Sequence, residues 1–222
     1  MAVAFDSASS TEASTTYSFT HIPVGTPTAA IAAITQDSTN RSLGVTYAGV
    51  TMTPLAFVKS PDGVTAQFLF GLPGPVSSAA TVHVSFTGLT ETAAGFMTVT
   101  GSSTTSPFGV TVTNSGSSGN ASLSMTAQQT GSLTVAAVGN NQALTSGAAA
   151  WSGASTGTER WNELDPAGFV AFAGQTVTTT GLLSFSWVNN APTSPSWGII
   201  GVEITPPHAT GTPMLTLLGA GI

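Results

Sequence analysis

The feature that most constrains this chain is a two-residue alternation of apolar and polar side chains. In LGVTYAGVTMTP, residues 43–54, Val45 and Tyr47 alternate with Gly44 and Thr46. After Ala48-Gly49 the pattern resumes, with Val50 and Met52 set against Thr51 and Thr53. Such a period places one set of side chains on a buried face and the threonines in water, as in a half-buried β-strand. Gly49 supplies the positive φ that a hairpin turn needs. Pro54 has no N–H for a ladder and is expected to end the run. The stretch therefore predicts two short strands folded on a turn.

The same alternation recurs. Residues 81–86, TVHVSF, turn Val82, Val84 and Phe86 one way and His83 and Ser85 the other, and in LLSFSW Leu183, Phe185 and Trp187 share a face. At Ile199-Ile200 the phase slips by one residue, which predicts either a bulge or a strand covered on both sides. Helix signals are nearly absent. Further strands are expected at 2–6, 15–22, 28–35, 64–70, 93–100, 108–113, 121–127, 132–138, 168–173 and 197–204. Ser60-Pro61-Asp62-Gly63, LPGP at 72–75 and the Ser/Gly-rich segments 102–107 and 114–120 supply turns between them. This pattern predicts an all-β fold, a two-sheet antiparallel sandwich. No repeat at a fixed period is visible. The length suits one domain or at most two small ones, and the expected division is a sandwich over 1–205 with a C-terminal extension over 206–222.

Composition narrows the partners. Hydrophobic residues make up 41% of the chain, enough for a full core, but charged residues only 5%, against about 25% in a typical soluble domain. The surface must then be built from Ser, Thr, Asn and Gln, which suits a protein packed at high copy number in an assembly, and equally a secreted one. The net charge is −6, with Arg41, Lys59 and Arg160 as the basic residues. Binding phosphates takes several cations on one face, so neither nucleic acid nor an anionic membrane is expected as a partner. There is no cysteine, hence no disulfide and no thiolate metal site. The N-terminal MAVAFDSASSTEAS has neither the basic nor the apolar region of a signal peptide. Apolar runs such as 29–34 and 214–222 fall short of the roughly 18 residues that a membrane span needs. The expectation is synthesis in the cytoplasm without a signal peptide, the product staying there or leaving inside a particle.

Candidate chemistry is sparse. Glu159, Arg160, Glu163 and Asp165 cluster in ERWNELD at 159–165, and paired carboxylates could serve as acid and nucleophile on a glycosidic bond. The plainer reading is a surface loop in which Arg160 pairs with a carboxylate. Trp151 and Trp161 are the candidates for stacking on a glycan, with Trp197 as a further platform, although a tryptophan more commonly covers the edge of a core. His21, His83 and His208 lack zinc-site spacing. His21 shares parity with Tyr17 and Phe19 and is expected to cap an aromatic cluster, while His83 faces solvent. Asp6, Asp37 and Asp62 are isolated and form no EF-hand loop. There is no G-x-S-x-G, and without cysteine there is no Cys-His pair. No catalytic residue, cofactor or metal is expected.

After Ile204 the composition changes. Pro206 and Pro207 open a tail that ends in an apolar segment containing Met214, Leu215, Leu217, Leu218 and Ile222. An exposed apolar tail is a liability unless covered. One reading packs it back on its own domain. The other makes it a partner-binding arm that adds a strand to a neighbour's open sheet edge.

Several short motifs, taken in order, carry a resemblance. They are VAFDSASS at 3–10, YSFTH at 17–21, the 43–54 hairpin, FLFGLPGP at 68–75, AAGFMTVTG at 93–101, SPFG at 106–109, GASTGTERWN at 153–162 and SWGIIGVEI at 196–204. In this order and spacing the chain resembles a family of bacterial, metagenomic and phage-encoded β-sandwich domains that read V-T-Y-G-G-V-x-M-T at the hairpin. The resemblance covers about residues 2–205. It implies a jelly-roll-like sandwich found on cell exteriors and in virions, and it brings no catalytic residues. With the composition, it sets the expectation of a non-enzymatic structural protein of a tailed-phage virion. Capsid decoration is the first choice, in a homo-oligomer that binds the major capsid protein or tail proteins. The alternatives are a tail or fibre component, a carbohydrate-binding adhesive module with Trp151 or Trp161 as its platform, and a hydrolase.

Overall fold

A computed structural model describes residues 1–13, 16–37, 43–87, 91–117, 119–140, 151–152, 157–164, 170–178, 180–189 and 196–207. Everything regular in them is antiparallel β-structure, as the alternation predicts. The layers number four, however, not two.

The N-terminal half contains β1 (Ala4–Ala13), β2 (Tyr17–His21), β3 (Ala29–Gln36), β4 (Leu43–Tyr47), β5 (Val50–Thr51), β6 (Thr53–Lys59), β7 (Ala66–Pro73), β8 (Ala80–Phe86) and β9 (Thr92–Thr100). They form an inner sheet of order β1-β9-β3-β7-β6 and an outer sheet of order β2-β8-β4-β5. The C-terminal half contains β10 (Phe108–Gly116), β11 (Ala121–Ala127), β12 (Leu133–Asn140), β13 (Trp151–Ser152), β14 (Thr158–Leu164), β15 (Ala171–Val177), β16 (Gly181–Asn189) and β17 (Trp197–Ile204). Its inner sheet runs β10-β17-β12-β15-β14 and its outer sheet β11-β16-β13. With β10 in the place of β1, β17 in that of β9 and so on, the second half repeats the first, except that the two-residue β5 has no counterpart among its described residues.

The repetition extends to register. Ala29 pairs with Val99 and Gln36 with Thr92, just as Leu133 pairs with Ile204 and Asn140 with Trp197. Lys59 faces Ala66 as Leu164 faces Ala171. Even the bulges correspond: β6 slips at Leu55, between Pro54 and Ala56, and β14 slips at Arg160, between Glu159 and Trp161.

The two halves meet through their inner sheets. Ile31, Ala33, Met97 and Val99 of one pack with Val135, Ala137, Phe172 and Ile200 of the other in a single core, while separate cores join each inner sheet to its outer sheet. The inner strands are thus covered on both faces, and β3, β12 and β17 are buried along their whole length. This explains the phase slip in β17, where Ile199 faces the outer sheet and Ile200 the opposite half. Sheets that pack at about 10 Å need small residues somewhere in the contact. The alanines of β3 supply them, and so does glycine around Trp161. That indole lies 5.7 Å from the Phe172 ring, and a Cβ added at Gly95 of β9 or Gly174 of β15 would fall inside it.

The hairpin forms as expected, with Tyr47 paired to Val50. Ala48 and Gly49 have φ of 51° and 78°, the primed turn that fits strand twist. Val45, Tyr47 and Met52 are buried, but Val50 is half exposed. Pro54 does not end the run. It lies in β6, whose place at the edge of the inner sheet tolerates a residue without an N–H. β1 continues to Ala13, and ERWNELD is not a loop: its first six residues lie in strand β14.

A methyl group at Gly174 has no room to form without displacing Trp161. Gly174→Ala is expected to lower unfolding stability by about 1–3 kcal/mol. Gly44→Ala, whose added methyl would meet only the Ser85 hydroxyl at 3.1 Å, should cost less. Urea titrations of both variants check the difference.

Candidate functional site

The residues singled out above fall into three places. Trp151 is fully buried and Trp161 is 4% exposed, so neither presents a ring face to a glycan. Trp161 fills the contact between the halves, and Trp151 packs with Phe185 and Trp187 in the C-terminal core. Trp197, 5% exposed, packs in that same core. The candidate platform is therefore core, the commoner fate of a tryptophan.

Strand β14 distributes its charges instead of gathering them. The bulge at Arg160 reverses the strand's phase. Glu159 then sits opposite Gln175, and Glu163 opposite Phe172. Glu163 accepts a hydrogen bond from the Ser10 hydroxyl on β1 of the other half. Glu159 accepts one from Asn162 Nδ2 at 3.1 Å, and the same amide nitrogen holds the Trp151 carbonyl at 2.6 Å. Their partners lie on opposite sides of the sheet, so the two carboxylates do not face each other as a glycosidase pair must. Asp165 lies outside the described residues. Arg160 does not take the carboxylate partner expected of it among the described residues. Its guanidinium carbon lies 3.6 Å from the Phe5 ring centroid, and its Nε donates to Thr176 Oγ1 at 2.8 Å.

The densest polar cluster is one that sequence spacing hides. His21 is fully buried between the two sheets of the N-terminal half, edge-on to Phe96 at 4.7 Å and to Tyr47 at 6.1 Å. It caps the aromatic cluster that its parity with Tyr17 and Phe19 suggests. Its Nδ1 meets Ser9 Oγ at 2.7 Å, and its Nε2 meets Ser7 Oγ at 3.1 Å and Thr98 Oγ1 at 3.0 Å. Thr98 in turn donates to Asp6 Oδ2 at 2.7 Å. Serine, histidine and aspartate are all present, but both ring nitrogens rest on hydroxyls and the carboxylate reaches the ring only through the hydroxyls of Thr98 and Ser7. A nucleophilic triad needs the acid on one nitrogen and a reachable hydroxyl on the other. Burial pushes the His21 pKa from 6.5 down to about 4, against the opposing pull of Asp6, so the ring is neutral at pH 7. It ties β1 and β9 to β2.

Asp6 has a second task. Its carboxylate accepts the backbone N–H groups of Gly25 at 2.6 Å and Val24 at 3.3 Å, closing the turn between β2 and β3. In the C-terminal half the corresponding turn is closed by Glu203, 1% exposed, whose Oε1 accepts the N–H groups of Gln128 and Gln129 at 2.8 and 2.9 Å and the Ser132 hydroxyl at 2.7 Å. Each half thus uses a carboxylate for the same purpose, the partly exposed Asp6 from β1 in one and the buried Glu203 from β17 in the other.

Of the tail residues, Pro206 is buried and Pro207 exposed. Met214, Leu215, Leu217, Leu218 and Ile222 lie outside the described residues, as do Arg41 and His208. Among the described residues no group of three or more His, Cys, Asp or Glu could hold a metal ion, and no helix is long and apolar enough to cross a membrane. Neither a family model nor a curated protein matches this chain.

The buried imidazole makes stability depend on pH. The unfolded chain takes up this proton near pH 6.5 and the folded chain only near 4, so its contribution is present above 6.5 and is lost as pH falls toward 4. Chemical denaturation between pH 7 and 4 should show this fall. His21→Gln should remove that component of the slope while lowering stability at pH 7.

Proposed function

We propose that this chain is a non-enzymatic structural protein of a tailed-phage virion that decorates the capsid and stabilises its shell. The observation that carries the reading is the character of the two outer sheets. No Asp, Glu, Lys or Arg occurs in β2, β4, β5, β8, β11, β13 or β16. Their outward positions form ladders of hydroxyls instead: Thr20 opposite Thr81 in one half, and Ser122 opposite Ser186 and Ser124 opposite Ser184 in the other.

Covering such a surface with another protein desolvates hydroxyls, which costs far less than desolvating charges. A protein packed beside many copies of itself and of a shell protein benefits from a face of this kind. A four-layer body with both inner sheets buried gives a stiff spacer across capsomer junctions, and burying surface there resists pressure from within. The polar groups best arranged for chemistry, around His21, are already engaged with one another in the core. Within each half, leaving β5 aside and counting the other eight strands in chain order, the first, eighth, third, sixth and fifth lie side by side over the second, seventh and fourth. Two interlocked Greek keys give this order apart from the fifth strand, which joins the sixth in the inner sheet and not the fourth in the outer one, and that arrangement supports the jelly-roll reading.

Mass spectrometry of purified particles tests the proposal. The expected result is this chain present in stoichiometric proportion to the major capsid protein, and particles lacking it releasing their genome at a lower temperature. Particles that contain none of it would contradict the role.

A further inference from the structure

The internal repetition provides its own control, and at one position the halves part company. In the N-terminal half the bulge residue is Leu55. Both it and Phe108 crowd the position that a Cβ on Gly71 would occupy, so apolar contact fills the space. In the C-terminal half the same bulge carries Arg160, and Thr176 stands where Gly71 stands. The fold is therefore satisfied by a leucine and a glycine here, yet one of the chain's three Lys and Arg residues is placed at this point.

Arg160 and Thr176 line an open cavity of about 470 Å³ at the end of β14, β15 and β16. Thr158, Thr178 and Ser184 add hydroxyls to its wall, and the exposed Leu182 adds an apolar surface. One face of the guanidinium is covered by Phe5 and its Nε is engaged by Thr176. Its terminal N–H groups have no protein partner among the described residues. Burial opposes the guanidinium's charge, so an anion that reaches it is held more strongly than at a fully solvated arginine. The fork of two parallel N–H donors matches a carboxylate, and a ring of hydroxyls beside an apolar wall matches the polar edge and C–H face of a sugar.

We propose that this cavity binds a carboxylated saccharide, its carboxylate on Arg160 and its hydroxyls on Thr158, Thr178 and Ser184. The proposal is independent of whether the chain sits in a particle. It also places glycan recognition on an arginine and not on the buried tryptophans.

The test is a ¹⁵N-detected NMR titration of the full chain. The probes are methyl β-glucuronide, the methyl glycoside of N-acetylneuraminate, methyl β-glucoside and sodium sulfate. One or both carboxylated sugars should shift the amides around Thr176–Thr178 and Leu182–Ser184, and the stronger of the two identifies the source of the acid. The neutral glucoside should bind about tenfold more weakly or not at all. Arg160→Leu, which installs the residue used by the other half, should reduce affinity for the acidic sugar by a similar factor with the spectrum otherwise native. Thr178→Trp, at an exposed position, should block the cavity, so the test stands even if the leucine variant does not fold. Equal binding of the glucoside, sulfate shifts as large as those of the acidic sugars, undiminished binding by a folded variant, or no binding of any probe would each overturn the proposal.

Discussion

Everything in this structure depends on two sheets being buried on both faces. An antiparallel sheet normally keeps one side wet, and a chain that buries both must remove polar side chains from the middle of its strands and limit bulk so that the layers can approach. The Ala-rich β3 and the small residues around Trp161 meet that demand. Trp161 is the largest side chain in the shared core, and it fits because Gly95 and Gly174 leave it space. Substituting such an aromatic with alanine typically costs about 3–5 kcal/mol, a large share of the stability of an ordinary domain.

Across that shared core the halves behave as an isologous pair within one chain. Each presents a phenylalanine of its first strand, Phe5 or Phe108, toward the bulge region of the other half's edge strand. Each uses a carboxylate, Asp6 or Glu203, to close the turn before its third strand. What differs is local: arginine for leucine at the bulge, tryptophan for alanine one residue later, glutamate for threonine where Glu203 and Thr98 occupy the same register. The two halves hold a fold in common while their side chains differ at these positions, and the cavity lined by Arg160 lies on the side where they do.

Much of the fold was legible in the sequence. TVHVSF and LLSFSW bury the side chains that their alternation assigns, and Ala48-Gly49 makes the expected turn. The repetition was not legible, because TAAIAAIT and LTVAAVGN share a pattern of small and branched residues with few identities, and pattern alone does not set strand order. ERWNELD read as a loop because its charges obscured Trp161, the one buried residue among its described side chains. The parity of His21 marked it as buried. Its partners could not be read from sequence, since Thr98 is brought to the ring only by the pairing of β1 with β9. The surface was legible from composition alone: with so few charges, the exposed strands had to carry hydroxyls. The proposed role in an assembly rests on that neutrality and on the stiffness of the body behind it.

The central claim is that the two sandwiches form one cooperative body through their inner sheets, and native-state hydrogen exchange followed by mass spectrometry tests it most directly. If it holds, the amides of β3 and β9 and those of β12 and β17 exchange only through global unfolding, at matching free energies and with the same denaturant dependence. If one half exchanges through an opening that leaves the other protected, the shared core does not hold the molecule together and the account fails.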